Sequence, residues 1–114
     1  MSPGTNSTEF YGLIAPYDGI LVNVKMRSEI QIRNDIVFEL MTSGDGTELP
    51  TTVTGTLTRA WSSLSRLNAN TYDTADFTGT LDSGANTVTK GNIIAIRMTM
   101  GGSAVSDCLI MTTW

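Results

Sequence analysis

The sequence predicts an all-β protein, an antiparallel β-sandwich of seven or eight short strands compatible with a jelly roll. Three observations carry this expectation. Threonine, a β-branched residue favoured in strands, occurs 18 times in 114 residues. Apolar and polar residues alternate at period two in several segments. Turn signals separate those segments at short intervals, with no βαβ unit and no fixed repeat.

Residues 1–8 are small and polar, and are expected to form a flexible arm, which leaves 9–114 as one domain. Phe10 to Ile14 is a short apolar run ended by Pro16, as in an outer strand. After the Asp18-Gly19 turn, Ile20, Val22, Val24 and Met26 alternate with Leu21, Asn23, Lys25 and Arg27, which predicts one half-buried strand. Ile36, Phe38 and Leu40 repeat the pattern. Ser43 to Gly46 reads as a turn, and Val53 to Leu57 as a Thr-rich strand.

Trp61, Leu64 and Leu67 fit a helical turn or a loose strand equally. Thr71 to Phe77 is expected as a strand with Ala75 and Phe77 inward, and Ser83 to Asn92 as a long polar turn. Ile94, Ile96, Met98 and Met100 share one face of a strong strand. Asp107 to Trp114 closes the chain as a last strand, with Cys108, Ile110 and Trp114 inward.

Composition removes several chemistries. The chain has no histidine, and so lacks the commonest general base and nitrogen metal ligand. A net charge of −4 disfavours nucleic acid and polybasic membrane contact. No apolar run approaches the ~20 residues of a membrane helix. The amino terminus lacks a basic segment followed by an apolar one, so synthesis in a cytoplasm is expected.

The single cysteine, Cys108, has no histidine to activate it and reads as a small buried residue. Asp73, Asp76 and Asp82 match no calcium-loop spacing and read as solvated loop acids. Asn6-Ser7-Thr8 matches a glycosylation sequon, read as an accident of a polar arm. No catalytic residue, cofactor or metal ligand is assigned, and the chain is expected not to be an enzyme.

What the pattern does offer is surface. Met41 and Met111 lie out of phase with the inward residues of their strands, as do Leu21, Val37, Ile93 and Leu109. Strands apolar on both faces fit an outer sheet partly covered by a partner subunit or a protein shell, with simple variation at sheet edges an equal reading. Tyr17, Trp61 and Trp114 are candidate exposed aromatics for stacking on a sugar or anchoring an interface, with core plugging an equal reading for Trp114.

Phe10-Tyr11, then Ala15-Pro16-Tyr17-Asp18-Gly19, then a strand ending in Arg27-Ser28-Glu29, resembles the start of small β-sandwich proteins of tailed-bacteriophage virions. Gly46 to Pro50, Gly91 to Ile96 and Ser106 to Trp114 extend the resemblance over most of the chain from Phe10 onward, and Arg59 to Asn70 departs from it. The resemblance implies a capsid decoration (cement) protein on the outside of a phage head. Such a protein would be a homo-oligomer, a trimer by preference, bracing neighbouring major capsid subunits. The alternative is a tail-fibre or receptor- or carbohydrate-binding module. The interaction residues expected on this basis are Ser2, Pro3, Thr5, Asn6 and Thr8 of the arm, with Tyr17, Met41, Trp61, Met111 and Trp114.

Overall fold

The computed structural model describes residues 7–44, 50, 52–61, 66–79, 81–100 and 108–114, with side chains from residue 13 onward except that of Cys108. Among them there is no helix. The strands are β1 (Ser7–Ile14), β2 (Gly19–Ile20), β3 (Asn23–Ser28), β4 (Ile36–Ser43), β5 (Thr52–Arg59), β6 (Tyr72–Asp76), β7 (Ser83–Gly84), β8 (Thr87–Val88), β9 (Ile93–Met100) and β10 (Cys108–Thr113). Three of these, β2, β7 and β8, have two residues each, which leaves seven longer strands.

All strand pairs are antiparallel. One sheet has the order β1-β9-β4-β5-β7, the second β10-β3-β6, and a small third joins β2 to β8. β4 pairs with β9 while β3 pairs with β10, so the successive strands β3 and β4, and likewise β9 and β10, are divided between the two larger sheets as neighbours in each. This gives a sandwich whose inner faces meet in one core. Ile36, Phe38 and Leu40 of β4 and Ile94, Ile96, Met98 and Met100 of β9 pack with Val24 and Met26 of β3 and Ala75 of β6. Leu57, Trp61, Leu81, Ile110 and Trp114 close its margins. The expected inward faces of β4, β6 and β9 are therefore found.

The strand expected across residues 20–27 is two strands in two sheets. Ile20 is 45% exposed and Leu21 fully buried, the reverse of the alternation, while Val24 and Met26 keep it. The phase slips because residues 21 and 22 leave any strand and bond elsewhere. Leu21 donates its N–H to the carbonyl of Asn86 and Val22 to that of Thr113, both at 2.8 Å.

The polar turn expected over 83–92 is also more than a turn. It contributes β7 to the large sheet and β8 to the small one, and buries Val88. Its anchor is Asn86, whose amide donates to the carbonyls of Leu21 and Phe77, each at 3.0 Å. Nearby, Asp18 accepts the N–H of Lys90 at 2.8 Å, and Ala15 bonds to both Gly91 and Asn92. The Ala15-to-Gly19 turn is thus a clamp on this segment.

At the other end of the chain, β1 begins at Ser7, inside the stretch read as an arm, and Ser7 and Thr8 pair with Thr99 and Met98. Residues 1–6 lie outside the described residues. β1 is an edge strand with a bulge between Tyr11 and Leu13, as the apolar run before Pro16 suggests.

The β5–β7 pairing depends on two glycines. A Cβ on Gly55 would stand 2.1 Å from the carbonyl oxygen of Ala85, and one on Gly84 would stand 2.0 Å from that of Thr54. Gly84 also has φ of +78°, where a side chain is strained. Gly84→Ala should therefore lower stability by roughly 2–4 kcal/mol in urea unfolding. Gly79→Ala, with nothing within 4 Å of the added carbon, should stay within ~0.5 kcal/mol of wild type. Equal midpoints for the two variants would contradict the close approach.

Candidate functional site

In β3 the side chains of Val24, Met26 and Ser28 are buried, so those of Asn23, Lys25 and Arg27 stand on the outer face. The register then sets their neighbours. Arg27 lies between Leu109 of β10 and Tyr72 of β6, and Lys25 between Met111 and Thr74. Asn23 lies between Thr113 and Asp76.

Leu109, Met111 and Tyr72 are 67%, 55% and 70% exposed, large values for apolar and aromatic side chains on a regular sheet. Together they border a shallow groove of about 480 Å³ whose lining also includes Lys25 and Arg27. Covering Leu109 or Met111 would contribute on the order of 1–2 kcal/mol each. One more residue shapes the groove. Asn70, held at φ of +60°, donates its N–H to the Ser28 carbonyl at 2.8 Å and accepts from the Arg27 guanidinium at 2.8 Å. Asparagine tolerates this left-handed conformation better than most residues, and here it steadies the Arg27 head.

A second, smaller groove of about 180 Å³ lies between the Ala15-to-Gly19 turn and the end of β10, bordered by Leu13, Tyr17, Val88 and Trp114. Tyr17 is 62% exposed there, as expected of a contact aromatic. Trp114 is half-buried against the core and donates its indole N–H to the Thr112 hydroxyl at 2.9 Å. It plugs this end of the sandwich while one edge borders the groove.

Two expected contact residues are covered by the protein itself. Met41 is 2% exposed although it faces away from Leu40: the β4–β9 register runs unbroken through both residues, and the extra residue at the shift is Thr54 of β5, so Met41 is covered by the chain on the second face of β4. Trp61 is half-buried on the core, with the Arg59 guanidinium 4.9 Å from its ring centroid and its backbone N–H donating to the Asp35 carboxylate. It is a lid on Phe38 and Leu67, not a free platform. Met111 is exposed as expected. Thr8 lies in β1, and Ser2, Pro3, Thr5 and Asn6 lie outside the described residues.

The out-of-phase apolar residues divide in the same way. Leu21 lies in the core and Met41 is buried on the second face of β4, Val37 and Ile93 are half-buried, and Leu109 and Met111 are exposed. Tyr72, Lys25, Arg27 and Leu109 were not among the expected contact residues. Their alternation was visible, but which strands lie beside β3 was not.

The three aspartates are separately engaged. Asp73 pairs with Arg59 across the edge between the two large sheets, Asp82 accepts from the Thr58 hydroxyl, and Asp76 accepts from both the hydroxyl and the N–H of Thr78. Among the described residues no three acidic, cysteine or histidine side chains gather to hold an ion. The chain matches no protein-family model, no curated protein and no solved structure.

The hydrogen bonds from the Thr78 hydroxyl and N–H hold the Asp76 carboxyl below its usual value of 3.8. A depressed folded-state value means that the carboxylate stabilises the fold above 3.8 and that this is lost as pH falls below it. In thermal melts against pH, Asp76→Asn should melt below wild type at neutral pH, and the gap should close in acid. A gap unchanged into strong acid would rule out this role for the carboxylate.

Proposed function

We propose that this chain is a non-enzymatic virion structural protein, a capsid decoration protein that binds the outside of a phage head and stabilises contacts between major capsid subunits. The observation that carries this reading is the outer face of β10, β3 and β6. Leu109, Met111 and Tyr72 are left in solvent there beside two cations, on a sheet whose other side is packed. Exposed apolar clusters of this kind mark contact with another protein. The major capsid protein is proposed as that partner on the sequence resemblance to small phage virion proteins alone.

A rigid sandwich repeated on a symmetric shell, as a homo-oligomer with three copies the favoured number, would multiply weak single contacts through avidity. Tyr17 beside the Trp114 groove supports a second reading, a tail-fibre module that binds a host receptor or glycan.

Quantitative mass spectrometry of purified virions, scaled to the major capsid protein, separates the two. A simple integer ratio to the capsid subunit is the expected result. A few copies per particle would favour the fibre module, and absence from the particle would remove both readings. Met111→Asp should leave unfolding within ~0.5 kcal/mol of wild type, because the side chain is already exposed. The same substitution should sharply reduce attachment to heads in a cosedimentation assay. Full attachment by this variant would show that the face is not the contact.

A further inference from the structure

Resting on the reading above, we infer that the groove along β3 receives an extended segment of a different protein, with two carboxylates two residues apart on one strand face and apolar side chains flanking them. Lys25 and Arg27 are themselves two residues apart on one face, roughly 7 Å along the strand. A facing strand carries the same spacing, so acid-x-acid meets the two cations in register. Leu109 and Met111 on one side and Tyr72 on the other offer apolar surface to the flanking residues.

The charge pattern favours this occupant. The chain carries −4 overall, yet the two charges at the centre of this face are both positive. No carboxylate among the described residues pairs with either of them. Arg27 is steadied by Asn70 through one nitrogen, which leaves further N–H donors of its guanidinium for a carboxylate.

A second copy does not fit. The 11 acidic residues include no two at positions i and i+2, so no strand of this chain presents the matching pair. A nucleic-acid backbone fits less well, since only two cations face it, between apolar walls, on a chain of net negative charge.

The test titrates the isotope-labelled full chain with the capped peptide Leu-Ser-Glu-Thr-Glu-Ser-Leu and with its Gln-for-Glu counterpart, by amide NMR. The expected result is saturable shifts confined to β3, β6 and β10, at least tenfold weaker with the Gln peptide and weakened by salt. They should be lost in Lys25→Glu/Arg27→Glu, whose unchanged melting shows that it folds. No binding, equal binding of the two peptides, or equal binding of a hexathymidylate would overturn the inference.

Head attachment of the wild-type chain and of the double variant keeps the two levels apart. Attachment unaffected by the charge reversal sinks this inference and spares the decoration reading. Peptide binding by a wild-type chain that does not attach to heads does the opposite.

Discussion

The close contact of Gly55 with Gly84 is the constraint on which the rest of the described fold turns. With no Cβ on either strand, the backbones of β5 and β7 approach until each glycine lies against a carbonyl next to the other. That contact holds the segment after β6 against the edge of the large sheet, reinforced by bonds from Asp82 and Ala85 to Thr56 and Thr54. From there Asn86 falls where it can satisfy the carbonyls of Leu21 and Phe77, two groups freed when their chain segments leave regular strands. Val88 then reaches the core, and Lys90 reaches Asp18. One permissive backbone position thus propagates into the closure of one end of the sandwich.

The same strand that builds the core builds the interaction face. β3 sends Val24, Met26 and Ser28 inward and Asn23, Lys25 and Arg27 outward, as any strand at the centre of a sheet must. What distinguishes this sheet is its company. β10 places apolar side chains next to those cations, and β6 places a tyrosine on the far side. The outer face of the larger sheet is different in character. Glu39 and Arg97 face each other there as a partly buried ion pair. A charge with an internal partner offers less to a binding protein than one without, so the two outer faces are unequal as contact surfaces.

Much of the fold is legible in the local residue pattern. The alternation in 36–40 and 94–100 identified the inward faces of β4 and β9 residue by residue, because both strands are central and one side of each must be apolar. Alternation fails as a guide to burial in segments that it does not govern or that the chain covers from a second side. Leu21 sits in a two-residue gap between strands and so escapes period two, while Met41 keeps its place on the second face of β4 but is covered there by the chain. β7 and β8 are two residues each, too short to leave a periodic trace.

By itself, then, the sequence determined the all-β class, the principal strands and the apolar sides of the central ones, since these follow from local residue pattern and the need to bury one face. It also showed that some strands carried apolar residues on both phases. Only the tertiary structure decided which of those residues were spare. Leu21 and Met41 went inside and Leu109 and Met111 stayed out, because burial on the second phase depends on what the chain lays over it. The meeting of Leu109, Arg27 and Tyr72 in one row was likewise decided there. They come from strands far apart in the chain, and lateral register between such strands is written in no local pattern.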